Sequence, residues 1–600
     1  VQGGFVSGEA PIDEEFLAPL RRVLAWMERL DDGRGRWICP EHRVEHTGKN
    51  VGAIVIACEL LKHDPRADRA RLLDIASRQA RRALANLVRE GDSPCHTFRP
   101  GRHDPFNCSN SVIDGGACAD ALATLVEEHG DGLSAAEREA FARASLLHAR
   151  TYLRYAVLDK GIPAQRAWGL TGIAAAWRLE RDPELERAAI EAVGMLEGIQ
   201  HGDGSYPYHP LEWGGAHPGS GDVSAFYQSR IPGFLLHALR KMERPLRDPM
   251  YARPIVRALD FVHALQGPDG IKVGLVEAKP WYWGAAHEVA SHPFDVHALA
   301  TGYRHYGRPA WARAALRAFR AWARHLDEEG AVRSHLPGPG RGRSYQCPVF
   351  WAGHAMWIAR ALPDLQHCLG AGAEPRGARG SLDLSVQWFP DAQLARLEDP
   401  CVVAWIRGAR PAANVHHGSP LGAGLLRVWS KDRERDLLER CRFGGRNEAE
   451  WSGEWGGWRL AEGWRANRDE LRFSLWLARV AWRARRPVEA LKAPFGVARR
   501  GWLAFAHPRV SSAFHLSPTV DVAGDGVRLI SALARRDGSV VPGLVLERSY
   551  SIDGEGLLVQ ERMLAASESQ VGKLEGLAYR IPAAAGEAES AAGVVRYRLG

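Results

Sequence analysis

The sequence predicts two unlike folds in series: a multidomain α + β chain with an N-terminal (α/α) toroid of helical hairpins and a C-terminal antiparallel β-sandwich. Three observations predict this. Long amphipathic helical stretches alternate with Gly-rich aromatic joints up to about residue 370. The joints resemble one another, as "MERLDDGRGRWICPEH", "LVREGDSPCHTFRP", "LEGIQHGDGSYPYHP", "HALQGPDGIKVGLV" and "RHLDEEGAVRSHLPG" show, and such self-similarity marks a repeat array. After "GAGAEPRGARGSLDLS" the text changes to short alternating or β-branched segments. These set the expected boundaries: 1–372 toroid, 373–385 linker, 386–600 β domain.

Each hairpin follows from its own residues. In the stretch before "HGDGSYPY", Ala189, Ala192, Val193, Leu196 and Ile199 repeat at helical spacing, and an acidic-Gly turn ends the helix. "AQRAWGLTGIAAAWRLE" and "VIDGGACADALATLVEEHG" are apolar nearly all round, so they must be covered on every side and belong to an inner ring. "ADRARLLDIASRQARRALANLV" and "AWARAALRAFRAWARHL" carry an Arg-rich face and belong to an outer ring. Beyond the linker, "CVVAWIRG", "GLLRVWS", "GVRLISALAR", "LVLERSYSI" and "GLLVQERMLA" read as strands between turns such as "VAGDGV" and "SIDGEG". "LRFSLWLARVAWRARR" reads as either a helix or a strand pair. The final "VVRYRLG" is itself strand-like, so the β domain is expected to continue past it.

Composition narrows the function classes. At 600 residues the chain exceeds one compact core, and its 46% hydrophobic and 25% charged content is that of an ordinary soluble protein. No apolar run is long enough to cross a bilayer, so no membrane partner is expected. The net charge of +7 comes from Arg spread along the chain rather than from a basic stripe, which argues against nucleic acid. The nine cysteines (Cys39, Cys58, Cys95, Cys108, Cys118, Cys347, Cys368, Cys401 and Cys441) form no C-x-x-C pair, so thiolate zinc is not expected. Several lie in apolar helical text and read as small buried hydrophobes. This usage fits a reducing compartment, or the periplasm or exterior if a leader has been removed; "VQGGFVSGEAP" carries no readable address. No cofactor is expected, and the oligomeric state is not legible.

The chemistry concentrates where "DGSYPYH" leads into "SAFYQSRIPGFLLHAL". A helix that is core-facing for most of its length opens with Tyr227, Gln228 and Arg230. Together with the toroid and β domain, these runs resemble the polysaccharide lyases of the chondroitin AC, alginate and heparinase II/III type, in which such a loop precedes a helix presenting a catalytic Tyr. "SVQWFPDAQLARLEDPCVVAWIRG" is similar to the strand pair that opens the heparinase-type sandwich. The acidic residue those families place before the Tyr is missing here. The resemblance implies β-elimination on an acidic, uronate-containing polysaccharide, with Tyr227 as a proton carrier.

Eliminating across a uronate means removing a proton beside a carboxylate, which requires neutralising that charge, a base, and an acid for the departing oxygen. A phenol acts as base only beside a cation, and Arg230 follows Tyr227 by three residues, on one helix face. Asn110, with Asn107 in reserve, matches the family's Asn-bearing helix start and would help Arg230 neutralise the carboxylate; an N-cap is its structural alternative. His201 and His209 flank the "DGSYPY" loop, and either serves as second base or clamp. Trp213, Trp281 and Trp283 offer flat faces for sugar rings, with Gln228, His287 and His292 beside them. His287 and His292 lie five apart, off one helix face, so "AAHEVASH" predicts no metal site. His416 and His417 in "VHHGSPLGAG" sit in a strand-end turn. Alternatives are a glycoside hydrolase using carboxylates from Asp114, Asp203, Glu212 and Asp222, a uronate epimerase, and a non-catalytic polysaccharide-binding protein.

Overall fold

The computed structural model describes residues 11–40, 43, 45–89, 96–97, 111–159, 161–208, 223–273, 291–332, 347–371, 384–408, 423–438, 449–454, 509–515, 517–535, 539–565, 577–586, 588–591 and 593–600, with scattered positions between 475 and 495. Helices occupy the first part: α1 (Glu14–Glu28), α2 (Thr47–Asn50), α3 (Gly52–His63), α4 (Arg69–Ala85), α5 (Ser111–His129), α6 (Ala135–His148), α7 (Arg154–Asp159), α8 (Pro163–Glu180), α9 (Pro183–Gly198), α10 (Ala225–Gln228), α11 (Arg230–Lys241), α12 (Pro249–Leu265), α13 (His292–Tyr306), α14 (Pro309–Ala323), α15 (Pro348–His354), α16 (Met356–Arg360) and α17 (Leu362–Leu369). A short ribbon pairs β1 (Val88–Arg89) with β2 (His96–Thr97).

Burial separates the two rings as the periodicity predicts. In α8 every residue from Arg166 to Trp177 is buried, whereas α4 exposes Arg69, Arg71 and Arg81 and buries Leu72, Ile75, Ala76 and Ala80. The inner series is α2–α3, α5, α8, α10–α11, α13 and α15–α16; the outer series is α1, α4, α6, α9, α12 and α14. Small residues let inner helices approach closely: a Cβ on Gly116 would meet the Trp168 carbonyl, and one on Gly172 would meet Gly116. The ring closes on itself. A Cβ on Gly52 would overlap the Gly353 carbonyl, so the first and last inner helices touch backbone to backbone. Outside them Phe16 of α1 packs edge-on against Phe319 of α14 with centroids 5.0 Å apart, and Arg320 pairs with Glu15 at 2.8 Å.

The acidic-Gly joints share one geometry. Gly204, Gly270 and Gly330 sit at φ of 88°, 85° and 90°, a region that favours glycine. A Cβ on each would strike the carbonyl oxygen of Arg257, Arg317 and Arg22 respectively, one residue of the next outer helix in turn. Asp203, Asp269 and Asp327 each accept a backbone N–H two or four residues on. Gln200 donates to the Pro254 carbonyl, and Gln266 donates likewise to Ala314. Because the last joint rests on α1, the repeat itself closes the ring.

From Ser385 the described strands pair antiparallel in three sheets. A five-stranded sheet runs β3 (Ser385–Phe389), β4 (Leu394–Glu398), β5 (Val402–Arg407), β6 (Gly424–Ser430), β7 (Arg435–Asp436). A four-stranded sheet has the order β12-β9-β8-β15, with β8 (Glu450–Glu454), β9 (Arg509–Ser511), β12 (Ala534–Arg535) and β15 (Leu577–Arg580). A six-stranded sheet has the order β10-β11-β13-β14-β17-β16, with β10 (Thr519–Ala523), β11 (Gly526–Ser531), β13 (Leu544–Ile552), β14 (Leu557–Ala565), β16 (Ala588–Ala591) and β17 (Val594–Leu599). The three share a core that includes Leu397, Ile406, Trp451, Val510, Leu546 and Val559. The ambiguous stretch near 475–495 is helical at its described positions.

Strand β5 is buried at all of its residues because it is covered on both faces. Ala404 and Ile406 face the β core, while Val403 and Trp405 pack with Val223, Ala225, Phe261 and Leu265 of the helical ring. Polar contacts fix the same junction: Trp405 Nε1 donates to the Ala264 carbonyl at 2.9 Å, and buried Arg427 donates to Asp269 and to the Ile271 carbonyl. Among the described residues no helix is long and apolar enough to cross a membrane.

Inside the ring, Asp120 of α5 is paired with Arg360 of α16 at 2.5 Å and faces His237 of α11 at 3.3 Å. Burial first, then Arg360, pushes the His237 imidazole down to about 4. Its unfolded value is about 6.5, so between these values the unfolded chain binds the extra proton. Stability is therefore full above about pH 6.5 and falls as pH drops towards 4. At pH 5 this one histidine should cost about 2 kcal/mol, read as a fall in the urea midpoint that His237→Gln flattens.

Candidate functional site

Every described joint leads from an outer helix to the start of an inner one, so the inner-helix N-termini gather at one rim of the ring. Their orphan N–H groups and dipoles make that rim favourable to anions. Tyr227 stands there. The helix expected over "SAFYQSRIPGFLLHAL" is broken at Ser229 into α10 and α11; Pro232 supplies no N–H for the Gln228 carbonyl, which is the physical reason for the break. The break leaves Tyr227 half-buried at the end of α10.

Tyr227 is held by its neighbours' rings. Tyr208, from the "DGSYPY" loop, stacks on it with centroids 4.9 Å apart and an interplanar angle of 26°. The Arg230 guanidinium carbon lies 4.8 Å from the Tyr227 centroid, 3.9 Å from Phe226, 4.5 Å from Phe294 and 5.6 Å from Trp168. The cation is thus enclosed by π faces, which stabilise it electrostatically. Trp168 also meets a second cation, Lys49 Nζ, at 4.8 Å. Lys49 pairs with Asp114 at 3.2 Å, both buried. His354 of α15 lies beside this group, its ring 4.9 Å from Phe294 and 5.7 Å from Trp168. Burial first, then Lys49 and Arg230, drives its imidazole well below the ordinary value, so it is neutral at neutral pH. Among the described residues, neither ring nitrogen of His354 has a hydrogen-bond partner.

Two expected sugar contacts are corrected. Gln228 is 2% exposed, and its amide is spent on backbone: Oε1 accepts from Tyr206 N at 2.9 Å, while Nε2 donates to the Tyr206 and Ser224 carbonyls. It therefore ties the Tyr208 loop to the Tyr227 helix instead of reaching a ligand. His292 is fully buried at the start of α13, with the His325 ring 6.4 Å away. Gln228→Ala should cost about 1–3 kcal/mol through the stranded Tyr206 groups and lower kcat more than it raises KM, measurable by urea denaturation alongside steady-state kinetics.

His201 stays within its own turn, with Nδ1 2.9 Å from Ser205 Oγ. The adjacent Asp203 carboxylate accepts from the backbone N–H groups of Asp391 and Ala392 at 2.9 Å each, docking the β3–β4 turn. Asn107, Asn110, His209, Trp213, Trp281, Trp283 and His287, with Glu212, Asp222, His416 and His417, lie outside the described residues. Lys49, Trp168, Tyr208 and His354 escaped the sequence reading. For Lys49 and His354 the signal is a lone basic or polar residue in inner-ring text, as in "HTGKN" and "FWAGHAMW".

No family model matches the chain, and no curated protein matches it. Among solved structures it is similar to a polysaccharide lyase (12% identity, covering 60% of this chain and 99% of that one, TM-score 0.42). It is also similar to a glycosyl hydrolase of family 88 from Bacteroides vulgatus (12%, 59% and 99%, 0.40) and to a cellobiose 2-epimerase from Spirochaeta thermophila (13%, 58% and 98%, 0.40). Likenesses this distant do not choose among elimination, hydrolysis and epimerisation for this chain. The choice rests on its side chains.

Proposed function

We propose that this chain is a polysaccharide lyase that cleaves a uronate-containing polysaccharide by β-elimination, with Tyr227 carrying the proton. The observation behind this reading is the Tyr227–Arg230 pair at the rim: a half-buried phenol with a guanidinium 4.8 Å from its ring. A nearby cation favours phenolate and so makes a phenol a competent base. In the reaction the proton next to the carboxylate leaves to the base, the bond from the adjacent carbon to the glycosidic oxygen breaks, a carbon–carbon double bond forms, and the departing oxygen takes a proton. No water is consumed. Arg230 supplies the cation at the rim, Lys49 being paired with Asp114, and Asn110, or Asn107, would neutralise the substrate carboxylate beside Arg230. His201 or His209 acts as the second proton carrier or clamp, and Trp213, Trp281, Trp283 and His287 supply sugar contacts.

Hydrolysis needs two available carboxyl groups flanking the bond. Among the described residues, Asp114, Asp120 and Asp295 of the inner helices and Asp364 of α17 are ion-paired, to Lys49, Arg360, Lys272 and Arg240, and Asp203 is committed to the β3–β4 turn. Asp114 and Asp203 are thus occupied; Glu212 and Asp222 lie outside the described residues. The test is incubation with a panel of polyuronates and glycosaminoglycans. A rise in ultraviolet absorbance from the new double bond is expected on at least one. New reducing ends without that absorbance would replace this reading with hydrolysis, and binding without cleavage would replace it with a carbohydrate-binding role.

A further inference from the structure

Cys39 and His46 lie more than three hundred residues before Cys347 in sequence, yet each of the three offers a donor atom within 4.8 Å of the other two, and all three side chains are buried. We propose that they form a zinc site that staples the first hairpin of the ring to the last. Two thiolates and an imidazole are one of the protein donor sets zinc takes, with a water as the fourth ligand. Zinc–sulfur and zinc–nitrogen bonds of about 2.3 and 2.0 Å at tetrahedral angles need donors about 3.5–3.8 Å apart, so the described cluster requires little closure.

The placement gives the ion a task. Cys39 lies in the joint after α1, His46 is the residue before α2, and Cys347 is the residue before α15. The same seam is where Gly52 and Gly353 touch and where the Gly353 position abuts the Lys49 carbonyl. Phe350, one turn into α15, packs edge-on against the His46 ring at 4.9 Å and beneath Lys49 at 5.2 Å. A metal here fixes the register of the two inner helices that carry Lys49 and His354. Because it binds the folded ring and not the separated ends, it adds directly to folding stability. The site stands on these donors alone and is independent of the reaction proposed above.

The full chain, purified after growth in zinc-supplemented medium, should hold one equivalent of zinc by elemental analysis, and Cys347→Ser should lose it. Chelation should lower the melting temperature of the parent protein by several degrees and leave the Cys347→Ser transition unmoved. Since that variant can fail to fold, two readouts use the unaltered chain. Cobalt added after chelation should give a thiolate-to-cobalt charge-transfer band, and zinc should protect Cys39 and Cys347 from alkylation, as mapped by peptide mass. A folded chain that takes up neither metal stoichiometrically, alkylation at equal rates with and without zinc, or a Cys39–Cys347 disulfide in the mass spectrum would each overturn the assignment.

Discussion

Tyr227→Phe should lower turnover on a cleaved polyuronate by about 10²–10⁴-fold, the range lost when a positioned acid–base group is removed, while leaving KM within a few fold. The substitution deletes one oxygen and keeps the ring. The stack with Tyr208, the edge contact with Phe226 at 4.8 Å and the Arg230 cation–π contact all survive. The variant should therefore match the parent in circular dichroism and urea midpoint, so that a loss of turnover reports chemistry and not folding. Arg230→Met offers a second readout. Without the guanidinium, phenolate becomes harder to form, and the alkaline rise in activity should move to higher pH. Full activity in Tyr227→Phe would remove this residue from the reaction even if the products were unsaturated.

Asp295→Ala should cost about 3–5 kcal/mol, because it strands a charge that the fold has taken out of water. Lys272 Nζ lies 2.9 Å from Asp295 Oδ1, and neither side chain is more than 1% exposed. Lys272 also donates at 2.7 Å to the carbonyl of Ala225, the first residue of α10, so the ammonium ties a joint, an inner helix and the Tyr227 turn together. Replacing both charges, as in Lys272→Met with Asp295→Leu, should recover much of the loss, since apolar packing can substitute for a buried pair. Urea denaturation of Lys272→Met, Asp295→Leu and the double variant forms the cycle that checks this. If either single change cost less than about 1 kcal/mol, the site would be wetter than the structure shows. A folded double variant should still turn over slowly, because the Ala225 carbonyl has lost the donor that aims α10.

The two rings were legible because burial leaves a local trace. An inner helix such as α8 is covered on all sides and must be apolar all round, and an outer one such as α4 keeps an Arg face, so one turn of sequence reports its surroundings. The acidic-Gly joints were legible for a similar reason: the left-handed glycine and the Asp that caps its turn lie within a few residues of each other. Strand β5 read correctly as strand, but its lack of alternation shows its meaning only against the ring, where Val403 and Trp405 find a second core.

The candidate site was legible at Tyr227 and Arg230, which are neighbours in sequence. Gln228 looked like a ligand contact because a polar side chain at a helix start carries no mark of where it points; its partner, Tyr206, lies in the preceding joint. Lys49, Trp168 and His354 come from different hairpins, so no window of sequence contains them together. The same is true of Cys39 and Cys347, whose spacing predicted no thiolate metal.

Apart from the stretch near 475–495 and the break at Ser229, sequence alone determined which segments are helix or strand, which helices face inwards, and which turn carries the phenol, since all of these are set by patterns a few residues long. Tertiary structure alone decided which inner-helix charges are paired, which ring encloses Arg230, and which cysteines meet. Those depend on closing a ring whose ends are joined by Gly52, Gly353 and the joint that rests on α1, and the cost and geometry of that closure are properties of the whole chain.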